Sequence, residues 1–161
     1  MFFFINEITI SMASEESSFI DLIAKLNLPI VEKACGRELD QGNLILGWFQ
    51  LICYCFNAVL NLLYFIAVQS TLAKLVAFMD SAVFIVFAYF VREFIIGIKL
   101  KNSSKIKQYL VASCVVIIYL IVTGLAFFQS TNIVLVCYNA FTFVHAYSLY
   151  LKLTKTKVDA V

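Results

Sequence analysis

Polar and apolar residues along this chain fall into long blocks. Four apolar stretches, at about 43–68, 72–98, 109–128 and 133–151, are separated by polar breaks: Gln69-Ser70-Thr71, Lys99 to Gln108, and Gln129 to Asn132. Each stretch approaches or exceeds the roughly 20 residues that an α-helix needs to cross a hydrocarbon core. The pattern predicts an all-α fold, a bundle of four transmembrane helices over 42–152, with an N-terminal segment 1–41 before it and a tail 153–161 after it. Within the first segment, Ser18 to Val31 is amphipathic. Ser18 followed by Asp21 resembles a capping box, Phe19, Leu22, Ile23 and Leu26 share one helical face, and Pro29 ends or bends the helix. This predicts a short juxtamembrane helix resting on the bilayer surface. The opening MFFFINEITIS has no basic n-region and is too short to span, which argues against a cleaved signal peptide. Met12, which opens MASEESS, is an alternative start to Met1.

Composition strengthens the membrane assignment. Of 161 residues, 63% are hydrophobic and 14% charged, whereas a soluble domain is nearer half apolar and a quarter charged. So short a chain has too little interior to hide that many apolar side chains from water, so they face lipid. The net charge of +2 says less than its distribution. Lys25, Lys33 and Arg37 precede the first span; Arg92, Lys99, Lys101, Lys105 and Lys107 lie at the end of the second or just beyond it; Lys152, Lys155 and Lys157 follow the fourth. Lys74 alone adjoins an opposite-side connection. Four crossings put both termini and the middle loop on one side, and the basic bias makes that side the cytosol. The sequon Asn102-Ser103-Ser104 then faces the cytosol and is expected to stay unglycosylated.

The candidate chemistry is sparse. The five cysteines form no CxxC and there is one histidine, so no zinc site, other metal site or cofactor is expected. Cys53 and Cys55, two apart on a helix, face different directions. No phosphate loop, GxSxG or HExxH is present and no catalytic residue is assigned. The middle-loop lysines suit anionic lipid headgroups, not nucleic acid. Cys35, just ahead of the first span, is a candidate for lipidation.

Polar residues inside the spans need partners and so mark contacts. Gly47, Gln50, Tyr54, Asn57 and Asn61 recur at intervals of three and four and form one stripe on the first helix. Two readings fit: a packing seam toward other helices or partners, or the wall of a polar path. Counting along the helices places Asp80, Asn61 and Asn139 toward the outer side, and Gln50, Arg92, Glu93 and His145 toward the inner side. Arg92 and Glu93 diverge by about 100°, so Arg92 is expected to snorkel while Glu93 turns inward. The ionisable set Asp80, Glu93 and His145 is either a structural clamp or a proton relay.

Three segments carry a family resemblance: Cys35 followed by GNLILGWFQLI at 42–52, the basic turn GIKLKNSSKIKQYL at 97–110, and HAYSLYLKL at 145–153. In these the chain resembles the insect four-helix membrane proteins of the domain-of-unknown-function 4728 family, which includes the pasiflora septate-junction proteins. The resemblance spans about residues 35–153 and implies a part in insect epithelial junctions or barrier formation. Tetraspanins and claudins fit less well, since the CCG-bearing large loop of the former and the Trp- and Cys-bearing first loop of the latter are absent. The residues themselves point to a non-enzymatic organiser; the plasma membrane is the expected location, with endosomal membranes the alternative. The organiser would be surrounded by lipid and would assemble laterally with other integral membrane proteins or with itself. The alternative is a small transporter, channel or accessory subunit with a polar path.

Overall fold

The structure, a computed structural model, describes residues 28–127 and 130–158 together with Ile23 and Lys25. The chain divides into two units, residues 1–30 and 31–161. In the first, Ile23 and Lys25 are helical and residues 28–30 are not. Ser18, Phe19, Asp21, Leu22 and Leu26 of the expected amphipathic helix, and the start at Met12, lie outside the described residues.

The second unit opens with a hairpin, β1 (Lys33–Ala34) and β2 (Arg37–Glu38), paired antiparallel with Lys33 opposite Glu38 and Ala34 opposite Arg37. Cys35 and Gly36 form its two-residue turn with φ of 51° and 71°, the doubly left-handed turn that matches the twist of a hairpin. Four helices follow: α1 (Leu39–Ala67), α2 (Thr71–Lys99), α3 (Ser103–Phe127) and α4 (Ser130–Val158). All four are long and apolar enough to cross a membrane. This is an integral membrane protein built as an up-and-down four-helix bundle. Sequential helices pack side by side and α4 returns to α1. One end, the terminal end, carries Leu39, Lys99, Ser103 and Val158; the far end carries Ala67, Thr71, Phe127 and Ser130.

The helices outrun the apolar stretches at the terminal end. There α1 begins at Leu39, α3 at Ser103, and α4 continues to Val158. Lys, Glu and Gln are good helix formers once clear of hydrocarbon, so the helix persists where hydropathy stops. Between α2 and α3 the turn is compact. Lys101 takes φ of 50°, its amide donates to the Ile98 carbonyl, and the Asn102 amide donates to Gly97 O at 2.8 Å, a Schellman closure. Asn102 Oδ1 then accepts the Ser104 amide at 3.0 Å and caps α3.

The hairpin is seated on the terminal end. Ala34 is wholly buried and its carbonyl oxygen would lie 2.2 Å from a Cβ at Gly42. The Val31 amide donates to Ser148 Oγ at 3.0 Å and so ties the entering strand to α4. Gly42→Val is therefore expected to lift the hairpin away, because the clash is with backbone and overpacking of this kind costs about 1–3 kcal/mol. Hydrogen exchange checks it: amide protection at Val31–Glu38 should fall by at least tenfold while α2 and α3 keep theirs. Unchanged protection of the hairpin would contradict the contact.

Candidate functional site

The buried centre of the bundle is polar, and three helices build it. On α1, Gln50 and Tyr54 lie one turn apart, point inward and are fully buried. Gln50 Nε2 donates to Asn139 Oδ1 of α4 at 2.8 Å and approaches Thr142 Oγ1 at 3.4 Å. Gln50 Oε1 accepts the Tyr109 hydroxyl of α3 at 2.7 Å. Asn139 Nδ2 donates to the Tyr54 hydroxyl and, at 2.7 Å, to the Leu135 carbonyl. Thr142 Oγ1 donates to Asn139 O at 3.0 Å. Each amide hydrogen and oxygen of Gln50 thus has a partner, as a low-dielectric interior demands. The remaining helix, α2, supplies aromatic walls: Phe94 stacks on Tyr109 at 4.1 Å between ring centroids, and Phe87 meets Tyr54 edge-on at 4.8 Å. Toward the terminal end the seam continues through Asn43, whose Nδ2 donates to the carbonyls of Leu39 at 2.9 Å and His145 at 3.2 Å. Tyr138 donates to Leu46 O at 3.2 Å.

Among the described residues, side-chain hydrogen bonds join α1 to α4 between Asn43 and Tyr54. Beyond Tyr54 the stripe behaves differently. Asn57 Nδ2 donates to Cys53 O at 2.8 Å and Asn61 Nδ2 to Asn57 O at 3.0 Å, each on its own helix. Among the described residues no hydrogen bond reaches either side-chain oxygen. Gly47, at the other end of the stripe, faces α2, where a Cβ would lie 3.0 Å from Ile95 Cγ1.

The ionisable residues lie at separate places. Asp80 is buried near the far end and accepts the Tyr119 hydroxyl of α3 at 2.5 Å. Next to it Thr123 donates to Tyr119 O at 2.9 Å and accepts from Asn132 of α4 at 3.0 Å. Asp80 and Asn61 line one groove, each with its hydrogen bond elsewhere. Asn139 instead joins Gln50, because Gln50 and Tyr54 bracket it with longer side chains. Glu93 turns inward with its side chain 15% exposed and pairs with Lys105 of α3, while Arg92 is 64% exposed with its guanidinium 3.8 Å from Glu93. His145 packs on Phe141, and its Nδ1 lies 2.9 Å from Phe141 O on its own helix. About 20 Å of α2 separates Asp80 from Glu93, and buried Phe84, Phe87 and Val91 occupy that interval. Asp80, Glu93 and His145 are thus not joined by any chain of hydrogen bonds among the described residues. Cys35 is exposed in the hairpin turn.

No family model, no curated protein and no solved structure matches this chain. The geometry therefore carries the reading. It is that of a satisfied clamp at the centre, an ion pair at the terminal end and an acidic groove at the far end.

Tyr109, Thr142, Tyr119 and Lys105 are site residues that sequence reasoning missed. A signal was present: Asn132, Asn139, Thr142 and Ala146 recur at sevens, threes and fours on α4, and Tyr109 and Ser113 are one turn apart on α3. The Glu93–Lys105 pair joins the second and third helices with both groups partly exposed. Glu93→Lys or Lys105→Glu is expected to cost about 1 kcal/mol, as a partly solvated pair should. The double reversal should recover most of it in a thermal melt; strictly additive losses would show the pair to be uncoupled.

Proposed function

We propose that the protein is a non-enzymatic organiser of the plasma membrane, with cytosolic termini, that assembles laterally with other integral membrane proteins through α1. The observation that carries this is the poor coverage of α1 by its own chain. In its most apolar stretch 17% is buried, against 50% for α2, 33% for α3 and 44% for α4. Exposure to lipid alone is no argument, because acyl chains cover Phe49, Ile52 and Phe56 as well as a protein would. Lipid does not supply hydrogen-bond partners, however. Asn57 and Asn61 sit half-buried on this helix with their amide oxygens unbonded by the described residues. A neighbouring helix with donor side chains satisfies them.

The cytosolic assignment of the terminal end draws on the basic residues there, against Lys74 alone at the far end. Trp48, 5.8 Å below Lys99 Nζ, sits at the same level and suits an interfacial belt. The resemblance to the insect junction family extends the proposal to epithelial barriers. Its test is the size and composition of the complex extracted from native membranes in a mild detergent. A discrete assembly containing other membrane proteins is expected. A chain that runs alone, or only with its own copies, sinks the proposal.

A further inference from the structure

Near the far end, α1 and α2 enclose a groove of about 310 Å³ between Asn61 and Tyr64 on one side and Val76 and Asp80 on the other, with Ser70 of the connection at its rim. Asp80 stands roughly 14 Å along α2 from Thr71 and is 5% exposed. The Tyr119 hydroxyl donates to Oδ1 and holds the carboxylate in place. Among the described residues no further hydrogen bond and no basic group reaches it. The contrast with the other acids of the bundle is direct: Glu93 has Lys105, and Asp40 has Lys152 Nζ at 3.6 Å. Lys74 is six residues from Asp80 on the same helix and so projects to another side.

An ionised carboxylate held this deep among apolar side chains is stabilised by a cation, and among the described residues no basic side chain supplies one. The groove indicates which kind. It has the volume of a small-molecule site, apolar walls and a Tyr64 ring able to face a cation. Only one carboxylate lines it, too few for a divalent metal, which takes six or more oxygen ligands. We propose that this groove binds an organic ammonium group, with Asp80 as counter-ion, Ser70 as a hydrogen-bond acceptor, and Tyr64, Leu72 and Val76 against the carbon skeleton. A free protonated amine and the choline of a phospholipid headgroup share the cationic nitrogen that Asp80 would pair with, although only the protonated amine can donate a hydrogen bond. The inference stands apart from lateral assembly, whose failure would leave it untouched.

The test uses the full chain in nanodiscs of phosphatidylglycerol, with phenethylammonium as the probe and uncharged 2-phenylethanol as its match in shape. The melting temperature should rise saturably with the ammonium and not with the alcohol. Asp80→Asn, which still accepts the Tyr119 hydroxyl, should abolish the rise. Ala73→Leu, which fills the groove without touching the carboxylate, should abolish it too and covers the case of an Asp80 variant that does not fold. Repeating the titration in phosphatidylcholine nanodiscs separates the sources. A rise there equal to that in phosphatidylglycerol identifies a free amine, and a rise lost because the site is already filled identifies the headgroup. Equal response to ammonium and alcohol, a response that survives either substitution, or no response in phosphatidylglycerol overturns the proposal.

Discussion

Tyr109→Ala is expected to destabilise the bundle by about 3–5 kcal/mol, the range for truncating a buried aromatic ring. Two separate losses make up that figure. The ring is wholly buried and stacked on Phe94 at 4.1 Å and on Phe87 at 6.0 Å, so its removal leaves a cavity between α2 and α3. Lipid tails are as apolar as the cavity walls, so the transfer part of the usual cost is smaller here, while the lost dispersion contacts remain. The hydroxyl, in turn, is the donor to Gln50 Oε1, and an orphaned buried acceptor costs about 1–3 kcal/mol. Tyr109→Phe isolates this second loss, and about 1 kcal/mol is expected, since hydrogen bonds between membrane helices are individually modest. SDS-driven unfolding in mixed micelles measures both. Gln50→Leu adds a check: with the amide gone, Tyr109→Phe should cost little more, because each residue is the other's partner. A phenylalanine variant as unstable as the alanine variant would move the burden to the hydroxyl. Two variants both near wild type would show that the clamp does not hold the bundle.

The four spans were legible because the length of an apolar run is a local property that needs no tertiary information. The same local criterion misplaced the terminal-end boundaries, where α3 begins at Ser103 instead of near Tyr109; the basic turn Lys105-Ile106-Lys107 leaves the hydrocarbon but remains a good helix. The hairpin at 33–38 was not legible, because its turn is Cys-Gly in place of the Asn-Gly or Asp-Gly that announces such turns. The spacing of Gln50, Tyr54, Asn57 and Asn61 marked a stripe on α1, but spacing on one helix says nothing of what stands opposite. That depends on the rotation of each neighbour. So Gln50 and Asn139, assigned to different levels, proved to be hydrogen-bonded, and Asp80 found Tyr119, an aromatic whose hydroxyl a hydropathy scale hardly registers.

The double substitution Asn57→Leu with Asn61→Leu is expected to dissolve lateral assembly while leaving the bundle folded. The separation follows from where these side chains are bonded. Each amide nitrogen returns to a carbonyl one turn back on α1, which that helix already uses in its own ladder, so removal of the amides deprives no other helix of a partner. The loss of folding stability should be below about 1 kcal/mol, within the range of ordinary substitutions away from networks and cavities. Gln50→Leu, about two turns from Asn57 and three from Asn61, should do the reverse, because it strips bonds from Asn139 and Tyr109. For assembly, two interhelical amide contacts at about 1 kcal/mol each amount to roughly 2 kcal/mol, or about a thirtyfold weaker association. Energy transfer between labelled chains and their partners in the membrane measures that change, and melting of the same variants measures the fold. Lost assembly with an unchanged melt would place the contact surface on the far-end half of α1. Unchanged assembly would remove the stripe from the argument, and a collapse of both would mean that Asn57 and Asn61 belong to the bundle and not to its neighbours.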